Sequence, residues 1–209
     1  ALKSAAVNGG FSEVVLHGEK GLSGSPYWNY LEGIPGFRFE EIDPAIFGEL
    51  GLECGVRLRL LFESLDAPAA KANMFRAAIL YRDGGVYLDT DTVTVGSFQP
   101  LLASGGFFCG NERICFPGGA EAPASLLGWG RSLGLLALRD LVRRMPRGWR
   151  LFRGVEQYYY LAANNAVLGS SPGHGFVREL LESMDKLEDT RKHVRFALGT
   201  HLLQQCLER

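Results

Sequence analysis

Residues 66–93, "DAPAAKANMFRAAILYRDGGVYLDTDTV", read as a helix, a turn and a strand that ends in two aspartates. Asp66 and Pro68 are helix-start signals, Arg82 falls in the last turn, and Gly84-Gly85 stops the helix. "VYLDTDTVTV" (86–95) then reads as strand, turn and strand. Asn73 and Arg76 lie three apart on the helix and share a face, which Leu80 continues, so that face points inward. A polar pair on an inward face must be satisfied. Asp89 and Asp91 alternate along an extended chain and so project from one side. Like charges that close repel unless something positive sits between them.

A divalent cation removes that repulsion. Mg²⁺ and Mn²⁺ prefer carboxylate oxygens and keep room for water and substrate phosphates. The plain alternative is a pair of exposed turn aspartates that cap the next element. Gly84 and Gly85 permit a tight helix-to-strand turn and close approach of a ligand to the backbone. Arg76 suits either a structural carboxylate or a sugar hydroxyl or phosphate.

Outward from this stretch, helices and strands alternate, which predicts an α/β domain. Residues 1–8 read as a helix closed by Gly9-Gly10, 12–18 as a buried strand, and 21–36 as a loop with a short helical piece. A second strand is expected over 37–43 and a short helix near 44–50. A further strand is expected at "GGFFCG" (105–110), and another ends at "NNAVLGS" (164–170). Helices are expected over 133–145, 174–187 and from 199, and "YYY" (158–160) is read as part of a partly buried helix. There is no internal repeat and no low-complexity linker, so residues 1–209 read as a single domain.

The 209 residues carry a net charge of −1, which argues against a protein held to nucleic acid by bulk charge. Basic residues cluster in "LRDLVRRMPRGWRLFR" (138–153). This is either a solvated helix face with a following turn or a docking surface for an anionic membrane or acceptor. The four cysteines show no metal spacing and read as buried free thiols, which favours a reducing compartment, so a cytoplasmic location is expected, with peripheral membrane contact through the basic cluster as the alternative.

"AAKANMFRAAILYRDGGVYLDTDTV" (69–93) resembles the DXD-containing sugar-binding region of certain glycosyltransferases. These include fungal α-mannosyltransferases, α-galactosyl- and N-acetylglucosaminyltransferases and, more distantly, clostridial toxin glucosyltransferases. The family pattern is small-Asp-x-x-Arg, an apolar stretch, Gly-Gly-aliphatic-Tyr, then Asp-x-Asp. Arg76, Gly84, Gly85, Tyr87, Asp89 and Asp91 match it at the expected spacing. "NNAVLGSSPGHGF" (164–176) is similar to a later family segment.

The resemblance implies a GT-A fold, a Rossmann-like mixed sheet flanked by helices. It implies a nucleotide-sugar donor (UDP- or GDP-sugar), Mn²⁺ or Mg²⁺, and a glycan (polysaccharide), lipid or protein acceptor. Asp91 is then the first choice as metal ligand. Asp89 contacts the ribose or sugar, and the metal through water. Arg76 and Asn73 fix donor hydroxyls or phosphate, with Gly84, Gly85, Tyr87 and Asn165 along the donor. Tyr87 is alternatively a core aromatic and Asn165 a turn residue. Transfer in the family retains the anomeric configuration. No side chain stands out as a double-displacement nucleophile, so Asp89, Asp91 and Arg76 would act by positioning and electrostatics.

Two departures stand out. The family has Asp where this chain has Asn73. Both ends also look short: Ala1 starts beyond the family's first nucleotide-binding strand, and Arg209 ends before its C-terminal His- or Trp-bearing segment. A fragment, or a binding-only relative without turnover, is the first rival reading. His174 reads as a turn or helix-start residue rather than a base, and "SPYWNYL" (25–31) as a packed loop or an acceptor-side aromatic lip. A second rival is a haloacid-dehalogenase-type phosphatase. There Asp89 attacks phosphorus, Asp91 is the acid/base, and Asp185 with Asp189 is the nearest candidate for the required second acidic pair.

Overall fold

The computed structural model describes residues 1–116, 125–187 and 197–209. In chain order the elements are α1 (Leu2–Asn8), β1 (Val14–Gly18), α2 (Trp28–Glu32), β2 (Phe37–Glu41), α3 (Ile46–Glu49), α4 (Gly55–Ser64), α5 (Pro68–Arg82), β3 (Gly85–Leu88), α6 (Gln99–Leu102), β4 (Phe108–Ile114), α7 (Leu126–Arg144), α8 (Gly148–Val155), β5 (Tyr160–Ser170), α9 (Gly175–Lys186) and α10 (Leu202–Leu207). A kinked turn over Ala197–His201 precedes α10. The chain is thus mixed α/β, as expected.

The sheet differs from expectation. The described strands form two separate sheets rather than one mixed one. β1 and β2 pair in parallel, and β5 lies between β3 and β4, antiparallel to both. The core is built around α5 instead. Pro68 opens α5 at its first turn, and its alanines and leucine favour helix. From Met74 to Tyr81 only Ile79 is not fully buried, so α5 is covered on nearly its whole girth rather than on one face. It contacts α9, α3, β3, β5 and the kinked turn. Met74, Leu80 and Leu181 are buried to 2% exposure or less. Each contributes about 2 kcal/mol of apolar transfer.

α5 ends as the sequence indicates. The amides of Asp83 and Gly84 donate to the carbonyls of Ile79 and Leu80, and Gly84 and Gly85 take φ of +69° and +88°. β3 then pairs with β5 in the register Gly85↔Ser170 to Leu88↔Val167, and the Asp89 amide extends the ladder to the Ala166 carbonyl at 2.8 Å.

The second strand expected after the aspartates does not form. Instead α1 clamps that segment: the Ser4 hydroxyl accepts from the Thr94 amide, the Asn8 side chain donates to the Thr94 carbonyl, and the Phe98 amide donates to the Gly9 carbonyl. Side chains from α1 thus take the backbone groups that a ladder would use. β1 is half-buried rather than buried, β4 starts later than expected, and Tyr160 opens β5 instead of continuing a helix. All four cysteines are free thiols, three of them buried.

The geometry of the two glycines separates conformational from steric cost. A Cβ at Gly84 would sit 2.6 Å and 2.8 Å from Pro172 Cδ and N, whereas one at Gly85 meets nothing within 4 Å. Left-handed backbone costs a residue with a Cβ about 1–2 kcal/mol at either position. Gly84→Ala is therefore expected to destabilise the protein by at least about 1 kcal/mol more than Gly85→Ala in urea unfolding, because overpacking adds to the backbone term. Equal losses would mean that the Pro172 contact is slack.

Candidate functional site

The two aspartates do not alternate along a strand. Asp89 directly follows β3, and Asp89–Thr92 form a turn closed by the Thr92 amide donating to the Asp89 carbonyl at 3.0 Å. The Thr92 hydroxyl donates to the same carbonyl. The turn gives the two carboxylates different surroundings. Asp89 Oδ1 accepts from the Tyr87 hydroxyl at 2.8 Å and lies 3.4 Å from Arg76 Nη1. Asp91 is exposed and makes no hydrogen bond or ion pair among the described residues. The positive charge beside Asp89 is therefore Arg76, and Asp91 remains an open acceptor.

Arg76 is 7% exposed. Its Nη1 donates to the Asn165 carbonyl, its Nε donates to the Ala72 carbonyl at 3.3 Å, and its guanidinium lies over the Tyr87 ring at 4.4 Å. A buried cation needs this degree of pairing to offset desolvation. Burial pushes the Tyr87 phenol above its ordinary value. The Arg76 charge opposes that shift, while the hydrogen bond to Asp89 and the Asp89 and Asp91 charges add to it. The phenol thus stays a proton donor to Asp89 at neutral pH.

Asn73 and Asn165 meet beside this cluster. Asn165 Nδ2 donates to Asn73 Oδ1 at 3.0 Å. Asn165 is not a turn residue; it sits inside β5, whose alternation sends Asn165 toward α5 and Asn164 toward Glu112 on the other side. The inward face read for Asn73, Arg76 and Leu80 is present, and its polar members are satisfied by β5. Gly84 and Gly85 lie elsewhere. They sit at the far end of β3 from Asp89, about 13 Å away at the usual rise per strand residue. Gly84 packs on Pro172, so the pair shapes the α5–β3 turn rather than lining the aspartates.

Gly199 belongs to the cluster and was not among the sequence candidates. A Cβ there would lie 2.5 Å from Asn73 Nδ2 and 3.1 Å from Asn165 Nδ2. The kinked turn is thus pressed against the asparagine pair. A glycine in an apolar run, "FALGTHLL" (196–203), was the available signal, but its partners are distant in sequence.

Other sequence candidates are placed away from the cluster. His174 starts α9, its Nδ1 accepting from the Phe176 amide, as a helix-start residue does. The 25–31 segment leads into α2, with Trp28 packed edge-on against Phe37 and Phe39 and Tyr27 and Tyr30 exposed. Outside the sequence candidates, His17, half-buried against Phe75, has its pKa lowered by burial, with Glu40 opposing. Asp185 pairs with Arg57 on α4 at 2.7 Å, and Asp189 lies outside the described residues.

Residues 52–108 match the family of the glycosyltransferase sugar-binding region containing DXD motif. The match runs through α4, α5, β3 and both aspartates, and it supports the glycosyltransferase family that the sequence resembles. No curated protein matches the chain. The stretch over residues 52–108 is thus similar to a glycosyltransferase-type sugar-binding region, and Arg76, Tyr87 and Asp89 lie within it.

The asparagine contact is testable by stability. Gly199→Ala is expected to cost about 1–3 kcal/mol in urea unfolding, because the new methyl must displace a hydrogen-bonded amide. Adding Asn73→Ala should recover part of that loss by removing the obstructed group. Losses that simply add would mean that Gly199 does not press on Asn73.

Proposed function

We propose that the protein is a metal-dependent, retaining glycosyltransferase that moves a sugar from a UDP- or GDP-sugar to a glycan, lipid or protein acceptor. One observation carries the reading: Asp91 is exposed and unpaired two residues from an aspartate fixed by a buried arginine and a tyrosine. This fits a divalent cation. Asp91 and the Oδ2 of Asp89 supply hard oxygen donors. No group of three or more metal-ligating side chains is present among the described residues. A site with one or two carboxylates, completed by substrate phosphates and water, is the arrangement Mg²⁺ favours. When bound, Mn²⁺ or Mg²⁺ would neutralise charge developing on the departing nucleotide diphosphate.

The chain's own residues supply position. Arg76 Nη2 makes no hydrogen bond among the described residues and can donate to a sugar hydroxyl or phosphate. The Asn73–Asn165 pair offers amide donors and acceptors beside it. Oδ1 of Asp89 is already engaged by the Tyr87 hydroxyl and the Arg76 ion pair, which leaves Asp89 poorly placed as a nucleophile. Front-face transfer, with donor and acceptor held together, follows better from this set than double displacement.

The binding-only reading rests on Asn73. The family's Asp would carry a charge here, whereas the Asn73 carbonyl oxygen is already used by Asn165. The phosphatase reading lacks support: Asp89 is clamped, and Asp185 is engaged by Arg57 rather than brought to the aspartates.

Calorimetry with Mn²⁺ and a panel of UDP- and GDP-sugars, on the wild type and Asp91→Ala, tests the proposal. Metal-dependent binding is expected, weakened at least about tenfold in the variant, or 1.4 kcal/mol. Transfer assays then separate an enzyme from a binding-only relative. Binding that is indifferent to both metal and Asp91 would remove the reading.

A further inference from the structure

Residues 139–153, "RDLVRRMPRGWRLFR", hold six arginines and one aspartate, a charge of +5 on a chain whose total is −1. In the structure they form the tip of the α7–α8 hairpin. Gly148 makes the tip tight, since a Cβ there would run into the Val142 carbonyl oxygen. Beside it a groove opens, floored by Met145, Trp149 and Phe152 and rimmed by Arg139, Arg143 and Arg147.

Three features set this surface apart. First, none of the six arginines is among those with a carboxylate partner in the described residues, which are Arg38, Arg57, Arg59, Arg76, Arg82 and Arg209. The Nε of Arg139 is buried and makes no hydrogen bond among the described residues. Second, large apolar side chains stand exposed between the charges: Leu141, Met145, Trp149 and Leu151 are each more than 40% exposed. Third, Arg150 and Arg153 both lie 5.2 Å from the Trp149 ring centroid, so the aromatic and the cations present together.

We propose that the α7–α8 tip docks on an anionic lipid bilayer. Phosphate chemistry alone explains the arginines but leaves Leu141, Met145 and Leu151 in water. A bilayer takes both, with apolar side chains at the acyl boundary, Trp149 at headgroup level and the arginines on lipid phosphates. No described helix is long and apolar enough to cross a membrane. The hairpin is anchored by its own small core, with Cys115, Leu135 and Tyr159 buried and Phe152 and Val155 against them, apart from the core around α5. The surface stands independently of the sugar-binding site and of the activity proposed for it.

The test is flotation of the full chain with vesicles of phosphatidylcholine alone, and of phosphatidylcholine mixed with phosphatidylglycerol. Binding is expected on the mixed vesicles only, falling as salt is raised. Neutralising Arg143, Arg147 and Arg150 together to Gln should cut partitioning by roughly a hundredfold, at about fivefold per arginine. The matching triple Lys variant should keep most of it, because charge rather than the guanidinium fork carries the attraction. Trp149→Ser should weaken binding to the mixed vesicles, and it reads the surface independently should the triple Gln variant misfold. Equal binding to neutral vesicles, or no loss in either the triple Gln or the Trp149 variant, overturns the proposal. So does an oligonucleotide that binds equally tightly and strips the protein from vesicles, which would make the tip a polyanion site.

Discussion

The packing of α5 against β3 and β5 depends on one buried cation. Arg76 sits inside the protein, and α5, β3 and β5 each supply it with a partner: the Ala72 carbonyl, the Tyr87 ring with the Asp89 carboxylate, and the Asn165 carbonyl. A guanidinium left unpaired there would be strongly unfavourable, so these three elements are constrained to meet at one point. That meeting fixes where β3 ends and where the turn holding Asp91 begins. It also divides the two aspartates, tying Oδ1 of the half-buried Asp89 to Arg76 and Tyr87 and leaving Asp91 exposed and unpaired.

The asparagine pair extends this constraint to the far end of the chain. Asn73 is one turn before Arg76, and Asn165 supplies both its carbonyl to Arg76 and its amide to Asn73. The kinked turn at Gly199 closes on the pair with no room for a side chain. An aspartate at position 73 would put a carboxylate next to Arg76 and compete with Asp89 for it. With asparagine there, the arginine's charge is left to Asp89, and Asn73 with Asn165 forms a neutral amide pair beside it.

Much of this was legible in residues 66–93. Helix-start and stop residues fixed α5, and the three-residue spacing of Asn73 and Arg76 fixed the polar inward face. What failed did so because distant chain decided it. The segment after the aspartates has the apolar alternation of a strand, yet Ser4 and Asn8 of α1 take its backbone groups. α4 escaped reading because "RLRL" (57–60) mimics a strand's period of two, while burial of Leu58 and Phe62, four apart, makes it a helix. Strand pairing is equally non-local, so a single mixed sheet was expected where β1 and β2 stand apart from the β3–β5–β4 ladder. Gly199 could not be tied to Asn73 without the fold.

A double-mutant cycle between Arg76→Ala and Asp89→Ala, read by urea unfolding, tests the central claim most directly. If Arg76 holds Asp89 as the geometry indicates, the two losses are not independent, and a coupling of roughly 1 kcal/mol is expected. Losses that add within error would contradict the account, because the ion pair taken to organise the site would then be incidental.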